Sequence, residues 1–385
     1  MNWLSDELAR LEQAHLYRRR LVLDSPQGAE VVVDGRRLLS FCSNDYLGLA
    51  NDSRVIAALQ RGAGQYGVGS GASHLVTGHC RAHHALEEEL ADFVGARRAL
   101  LFSTGFMANL GVVMALAERH SLIAEDRLNH ASLIDAARLA RARTRRYPHA
   151  DVGALRRQLG PEQRLSLILT DAVFSMDGDV APLEALAALA REHGAWLLAD
   201  DAHGLGVRGP QGRGSLAAAG LAPAGELILM GTLGKAFGVF GAFVAGDADL
   251  VELLIQRARS YIYTTALPAA VAEAVRAALA VVRAEGWRRE RLRELIARFR
   301  AGAAQLGFTL TESETPIQPL LVGEASAALA LADGLRARGF LVPAIRPPTV
   351  PAGSARLRVS FSAAHSPDQV DRLLRALAEI AKAVT

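Results

Sequence analysis

Apolar residues recur in distinct rhythms along the chain, and each rhythm predicts a different element. In LSDELARLEQAHLYRRR (4–20) they fall at helical intervals behind Ser5, Asp6 and Glu7, which predicts an amphipathic helix with a cap. EVVVDGRRLLSF (30–41) reads as two strands turned at Asp34-Gly35, because a two-residue hairpin turn favours residues that tolerate positive φ. A helix over 52–66 leads into GVGSGASHLVTGH, whose glycines predict a tight or functional loop. From about 80 to 245 the runs RALLF, SLIAE, RLSLILT, AWLLAD and ELILMG alternate with helical patterns such as RAHHALEEELADFVG, FMANLGVVMALAE and PLEALAALAREHG. Near-continuous apolar strands are buried on both faces, so this alternation predicts a mostly parallel sheet covered by helices. Helices dominate 247–306; FTL, IQPLLVG, FLVPAI and ARLRVSFS then read as strands, and S-P-D-Q (366–369) opens a last helix with a capping box. The fold class is α/β, with an N-terminal helix and hairpin over 1–45, a large α/β domain over 46–285 and a smaller α+β domain over 286–385.

Composition narrows the class. Half of the 385 residues are hydrophobic, which fits a globular chain and not a disordered one. Net charge is +3 with both signs interleaved, so no nucleic-acid partner is expected. RLARARTRRYPH (138–149) is the exception, with five arginines and no acid; it reads as a solvated helix end. Cys42 and Cys80 make no disulfide framework and fit a reducing compartment. The N-terminal stretch carries early acids and no apolar signal region, and no run reaches the roughly 18 apolar residues of a membrane span. A cytoplasmic protein with no membrane contact is the expectation.

Only two of the 43 basic residues are lysine, Lys235 in GTLGKAFGVFG and Lys382 near the C-terminus. Arginine keeps its proton, whereas lysine can lose one and act as an amine nucleophile. A lysine retained between glycines in an arginine-dominated chain is therefore a candidate for amine chemistry. In a parallel sheet, ligands bind beyond the C-terminal strand ends. Reading just past each apolar run gives Ser103-Thr104-Gly105-Phe106, then Asp126, Asn129 and His130, then Asp171 and Ser175, then Asp200, Asp201 and His203, and finally Thr232 and Lys235. Amine, carboxylates, imidazoles and a helix N-terminus on one rim are parts that pyridoxal 5′-phosphate (PLP) requires.

Competing motifs fit less well. A phosphate-binding NTPase loop would place glycine where Leu229 stands and Ser or Thr where Ala236 stands, and GVGSGAS is a weak dinucleotide fingerprint. His79, Cys80, His83 and His84 crowd one helix start with Glu87 and Glu88, and His79 and His83 are four apart, as zinc ligands can be. The H-E-x-x-H pattern is absent, so the helix-surface reading is preferred and no metal is assigned.

The stretch from Thr232 to Gly241, with SNDYLGL (43–49), FSMDGD (174–179) and DDAHGLG (200–206), resembles the α-oxoamine synthases among the fold-type I PLP-dependent transferases, over about residue 4 to the end. That resemblance implies a homodimer that joins an amino acid to an acyl thioester with loss of CO2. AIRPPTVPAGSARLR (344–358) directs the resemblance to L-alanine and a pimeloyl thioester, carried on coenzyme A or a carrier protein; glycine or serine with other acyl groups is the alternative. It also implies residue roles. Lys235 would carry the cofactor as a Schiff base and later move the Cα proton, Asp200 would pair with the pyridine nitrogen, His203 would meet the phenolic oxygen, and His130 would stack on the ring and border the substrate. Gly105, Phe106 and Ser175 would contact the cofactor and Thr232 its phosphate, while Tyr263, Thr264 and Thr265 would approach from the neighbouring subunit. Arg358 would take the amino-acid carboxylate, with Arg18, Asn44, Arg346 and Thr349 at other substrate-contacting positions.

Overall fold

The structure is a computed structural model that describes residues 3–14, 16–159 and 165–384; the Lys382 side chain lies outside what is described. The chain divides into two compact units, one of Met1–Gly48, Met176–Asp179 and Trp287–Thr385, the other of Leu49–Ser175 and Val180–Gly286. The N-terminal segment thus groups with the C-terminal quarter.

The first unit opens with a helix over Trp3–Gln13 that buries none of its residues and stops short of the arginines at 18–20. Strands β1 (Glu30–Val33) and β2 (Arg36–Ser40) form the expected hairpin, with Val33 opposite Arg36 and Asp34 and Gly35 at φ 51° and 71°. Both central residues are left-handed, as a type I′ turn demands.

The second unit carries β3 (Arg98–Phe102), β4 (Leu122–Asp126), β5 (Arg143–Tyr147), β6 (Leu165–Asp171), β7 (Trp196–Asp200), β8 (Leu227–Thr232) and β9 (Ala242–Gly246) in one sheet of order β3-β9-β8-β7-β6-β4-β5. Neighbours from β8 through β5 run parallel, and β9 is antiparallel to both β8 and β3. Leu100, Ile123, Leu167, Leu198, Ile228 and Val244 are buried against Val112 and Val113 of the helix Gly105–Leu116 and Ala136 of the helix Ala131–Leu139. Burial on both faces explains the continuous apolar runs. Two strands depart from the sequence reading. The arginine-rich stretch is a helix end only at Arg138 and Leu139; most of it forms β5, the exposed edge of the sheet, where a row of charges opposes edge-to-edge pairing. Ala242–Gly246 is a short strand directly after the glycine-rich lysine segment and is not among the strands read from the sequence. GVGSGASHLVTGH is also less irregular than expected, because His74–Gly78 closes a π turn.

The first unit resumes with β10 (Thr309–Leu310), β11 (Ile317–Gly323), β12 (Phe340–Leu341), β13 (Ala344–Ile345) and β14 (Ala355–Ser360), of which β12 joins β2 in parallel and the others form a sheet of order β10-β11-β14-β13. FLVPAI is therefore two strands in two sheets. Pro343 has no N–H for a ladder, and the chain changes sheet there. The helix Pro367–Val384 opens with the expected capping box: Ser366 N–H donates to Gln369 Oε1 at 3.0 Å, and Gln369 N–H to Ser366 Oγ at 3.2 Å.

Candidate active site

Five strand ends of the second unit, β3, β4, β6, β7 and β8, deliver side chains to one cavity of about 210 Å³. Gly105, Phe106, His130, Ser132, Asp171, Ser175, Asp200, Ala202, His203, Met230, Thr232 and Lys235 line it. Every second-unit residue given a role by the resemblance is among them except Tyr263, Thr264 and Thr265; Ser103, Thr104, Asp126, Asn129 and Asp201, also read just past the strands, do not line it.

Lys235 sits on the loop that joins β8 to the antiparallel β9. Leu233 N–H donates to Gly241 O at 2.8 Å, Val239 N–H to Leu233 O at 2.9 Å and Gly238 N–H to Lys235 O at 2.8 Å. Gly238 holds φ +68°, and a Cβ there would lie 2.3 Å from Ala50 N, so both conformation and space exclude a side chain. Phe237, fully buried and edge-on to Phe93 at 6.2 Å, anchors the loop. The result is a primary amine on a stiff mount, with Lys235 Nζ 2.9 Å from His203 Nε2.

His203 follows β7 in a turn fixed by its buried neighbour Asp201. The Asp201 carboxyl accepts from Ser215 N–H and Ser215 Oγ, both at 2.6 Å. A Cβ on Gly204 would fall 2.1 Å from Asp201 Oδ1, which explains the glycine after the histidine. Burial pushes the Asp201 carboxyl up to about 7, against the hydrogen bonds from Ser215.

Asp200, at the C-terminal end of β7, accepts from Asn109 Nδ2 at 2.7 Å on one oxygen and from Ala202 N–H at 3.0 Å on the other. Asn109 Nδ2 also reaches Ser132 Oγ at 2.8 Å, and Ser132 Oγ lies 2.8 Å from His130 Nδ1. The aspartate and the histidine are thereby tied into one buried network. His130 N–H donates to Asp171 Oδ1 at 3.2 Å, and Asn129 bridges β4 to β6 by giving to Leu169 O and accepting from Asp171 N–H. Burial lowers the His130 imidazole, opposed by Asp200 and reinforced by Lys235, so its ring is neutral near pH 7. Burial, and then the nearby Asp200, raise the Asp171 carboxyl well above the carboxylate range.

Asn109 and Ser132 escaped the sequence reading, which looked only just past the strands. The available signal was weak: Asn109 is a polar residue, fully buried, within the apolar helix GFMANLGVVMAL. Thr104 caps that helix by accepting from Met107 N–H at 3.2 Å, leaving its first turn beside Gly105 and Phe106 at the cavity. Thr232 Oγ1 donates to Gly241 O at 3.2 Å and accepts from Gly234 N–H at 3.3 Å. Tyr263 is 71 % exposed under the Arg259 guanidinium, and Thr265 is exposed as well.

The remaining candidates lie in the first unit. Arg358 on β14 is buried and donates to Asn44 Oδ1 at 3.3 Å and Ser360 Oγ at 2.9 Å; Tyr46 OH also donates to Asn44 Oδ1, at 3.1 Å. Arg346 and Thr349 share a turn closed by Thr349 N–H to Arg346 O at 3.1 Å, and Arg18 approaches Thr349 Oγ1 at 3.5 Å. Arg356, also on β14, pairs with Asp177 and was not singled out.

The donor set in the cavity fits PLP. A lysine amine suits the aldehyde, a carboxyl held on both oxygens suits the pyridine nitrogen, a neutral imidazole suits the ring face, and a helix N-terminus with a threonine hydroxyl suits the phosphate. Sheet and site together define a PLP-dependent enzyme of fold type I. The aminotransferase class I and II model matches residues 36–377, and the chain belongs to that family, in its α-oxoamine synthase branch. It is 61% identical to the 8-amino-7-oxononanoate synthase of Thioalkalivibrio sulfidiphilus over 98% of this chain and 97% of that one. It is 60% identical to the synthase of the same name from Nitrosococcus oceani, over 97% and 100%. Among solved structures, a serine palmitoyltransferase from S. paucimobilis with bound PLP–myriocin aldimine superposes with a TM-score of 0.93 at 31% identity, over 100% of this chain and 98% of that one. The 8-amino-7-oxononanoate synthase of Francisella tularensis gives 0.79 at 32% identity, over 90% and 98%.

Proposed function

We infer that this chain catalyses the PLP-dependent condensation of L-alanine with a pimeloyl thioester to give 8-amino-7-oxononanoate, CO2 and the free thiol, a step toward biotin. Near-full-length identity of about 60% to synthases of that name supports the substrate pair. The chemistry rests on one observation, the Lys235 amine held 2.9 Å from His203 at the rim of the parallel sheet.

When bound, PLP supplies the sink for the electron pair left at the amino-acid Cα. The protein's own groups do the rest. Lys235 Nζ takes the proton from the alanine Cα and later returns one to the same carbon. Between these transfers Cα attacks the thioester carbonyl, the thiolate leaves, and the alanine carboxylate departs as CO2. Asp200, fixed by Asn109 and Ala202, would hold the pyridine nitrogen of the bound cofactor and favour its protonated form. His203 would hold the phenolic oxygen of the bound cofactor, while His130, held by Ser132, would cover its ring face and border the substrate. Gly105, Phe106, Ser175 and Thr232 complete the cofactor pocket. Arg358 binds the alanine carboxylate through a charge-assisted pair, with Asn44 orienting the guanidinium. Arg18, Arg346 and Thr349 serve the acyl substrate. The enzyme works in the cytoplasm as a homodimer whose Tyr263, Thr264 and Thr265 complete the partner's cavity; their placement away from their own chain's cavity supports this reading.

The deciding experiment assays alanine, glycine and serine against pimeloyl, acetyl and palmitoyl thioesters on both coenzyme A and a carrier protein. Alanine with pimeloyl should exceed every other pair. Preference for glycine with acetyl, or serine with palmitoyl, would move the chain to a sister reaction.

A further inference from the structure

A second, larger cavity of the same unit, about 440 Å³, lies between the helix Arg81–Val94, the turn before it and Tyr261, and no step of the condensation uses it. His79, His84 and Glu87 face into it, each offering a ligand atom within 4.8 Å of the other two. We propose that His79, His84 and Glu87 bind a divalent zinc ion, a metal site separate from the catalytic cavity.

The donor chemistry supports zinc. Two imidazoles and one carboxylate form the N/O set that Zn²⁺ accepts with a fourth position open, and the cavity leaves room there for water. Tetrahedral ligands at about 2.0–2.2 Å from the metal stand roughly 3.4 Å apart. Closing the remaining gap requires the half-exposed His84, whose Nε2 lies 3.5 Å from Glu88 Oε1, to turn from that glutamate toward the other two ligands. Two of the three donors are held from behind, as metal ligands are. His79 Nδ1 lies 3.0 Å from His74 Nδ1, which leaves Nε2 for the metal, and His74 itself stacks on Tyr261 at 4.9 Å. Glu87 Oε1 accepts from Leu101 N–H at 2.9 Å, which leaves Oε2. Glu87 is a half-buried carboxyl already oriented by a backbone donor.

Geometry selects different histidines from those the spacing suggested. His83, four residues from His79, turns its Nε2 to Leu267 O at 2.6 Å and its Nδ1 to Cys80 N–H at 3.1 Å, so both ring nitrogens are engaged. His84 and Glu87, three apart, share a helix face with each other instead.

Calorimetric titration of the PLP-loaded enzyme with Zn²⁺ tests the proposal, with the catalytic cavity filled throughout. One ion per chain is expected, with Mg²⁺ giving no heat. His84→Gln and Glu87→Gln should each raise Kd at least about tenfold while keeping wild-type condensation activity, which certifies their fold. His84 is half-exposed, so its variant tests the site even if the Glu87 variant folds poorly. Cys80→Ser should bind as the wild type does, since the thiol faces His83. Absence of a one-to-one isotherm, an unchanged Kd in His84→Gln, or loss of binding only in Cys80→Ser would each overturn the assignment. None of these outcomes bears on the substrate pair.

Discussion

Around Lys235 the chemical groups come from five strand ends, spread between Gly105 and Lys235; around His79 they come from one turn and one helix, within nine residues of sequence. Both regions combine imidazoles with buried carboxyls, and both carry a carboxyl that burial raises to about 7, Asp201 in one and Glu87 in the other. What separates them is convergence. A sheet rim can place an amine, a carboxylate and a helix N-terminus against one small molecule, because each arrives on its own rigid strand. A single helix start can only gather like donors at short spacing, which suits an ion. Charge control differs too. Asp200 is tied on both oxygens inside a network that reaches His130, whereas Glu87 has one backbone donor.

The largest effect that sharpens this contrast is at Lys235. Lys235→Arg keeps the charge but removes the nucleophilic amine and the proton carrier, so activity should fall by about 10³-fold or more. Visible absorbance of the bound cofactor should change with it, while binding of Zn²⁺ at His79 and His84 should not. Appreciable turnover in that variant would end the catalytic assignment. Asp200→Asn comes next. The amide cannot hold the pyridine proton, so kcat should drop by roughly 10²-fold with the fold intact. Wild-type kcat there would make Asp200 a structural residue of the β7 end.

These two residues were legible in the sequence, and the reason is physical. Apolar runs mark the strands, and the residues just after each run reach the rim, so Asp200, His203 and Lys235 are legible in the sequence itself. Residues inside elements are harder. Asn109 lies within an apolar helix, and Ser132 belongs to the first turn of another; their importance comes from tertiary contacts that no local pattern encodes. The same limit explains β5, where exposed arginines at an edge strand carry no strand-like alternation, and FLVPAI, whose halves serve different sheets. In the His79 region local spacing pointed to His83, and only the structure shows that ring committed to Leu267 and Cys80. The first-unit arginines were reached through resemblance alone.

Asn109→Ala tests whether the network matters beyond packing. Losing the donor to Asp200 Oδ2 should lower kcat about tenfold, with KM for alanine little changed, because the carboxylate then turns away from its working orientation. A cavity effect alone would lower the melting temperature and leave kcat in place. Asn109→Asp, which keeps the volume but sets a second carboxyl against Asp200, should do worse than alanine. Equal activity in the two variants would remove electrostatics from the explanation.

The smallest effect separates the two adjacent aspartates. Burial raises the Asp201 carboxyl to about 7 from an ordinary value of 3.8. A folded-state pKa above the unfolded one means that the native protein holds a proton the unfolded chain has already released. The associated stability is present in full below about pH 4 and is lost as pH rises through about 7, at up to about 1.4 kcal/mol per pH unit. Asp201→Asn removes that titration and can keep both contacts, since Oδ1 can accept from Ser215 N–H while Nδ2 donates to Ser215 Oγ. Denaturant unfolding of the two proteins should therefore agree near pH 4 and diverge by up to about 4 kcal/mol in favour of the variant at pH 8. His203 stays on its turn because the loop contacts survive, so kcat at pH 7 should move less than twofold. If the two stability profiles run parallel from pH 4 to 8, Asp201 is ionised in the native state. The loop beneath His203 would then be held by a charged carboxylate accepting from Ser215, and not by a neutral one.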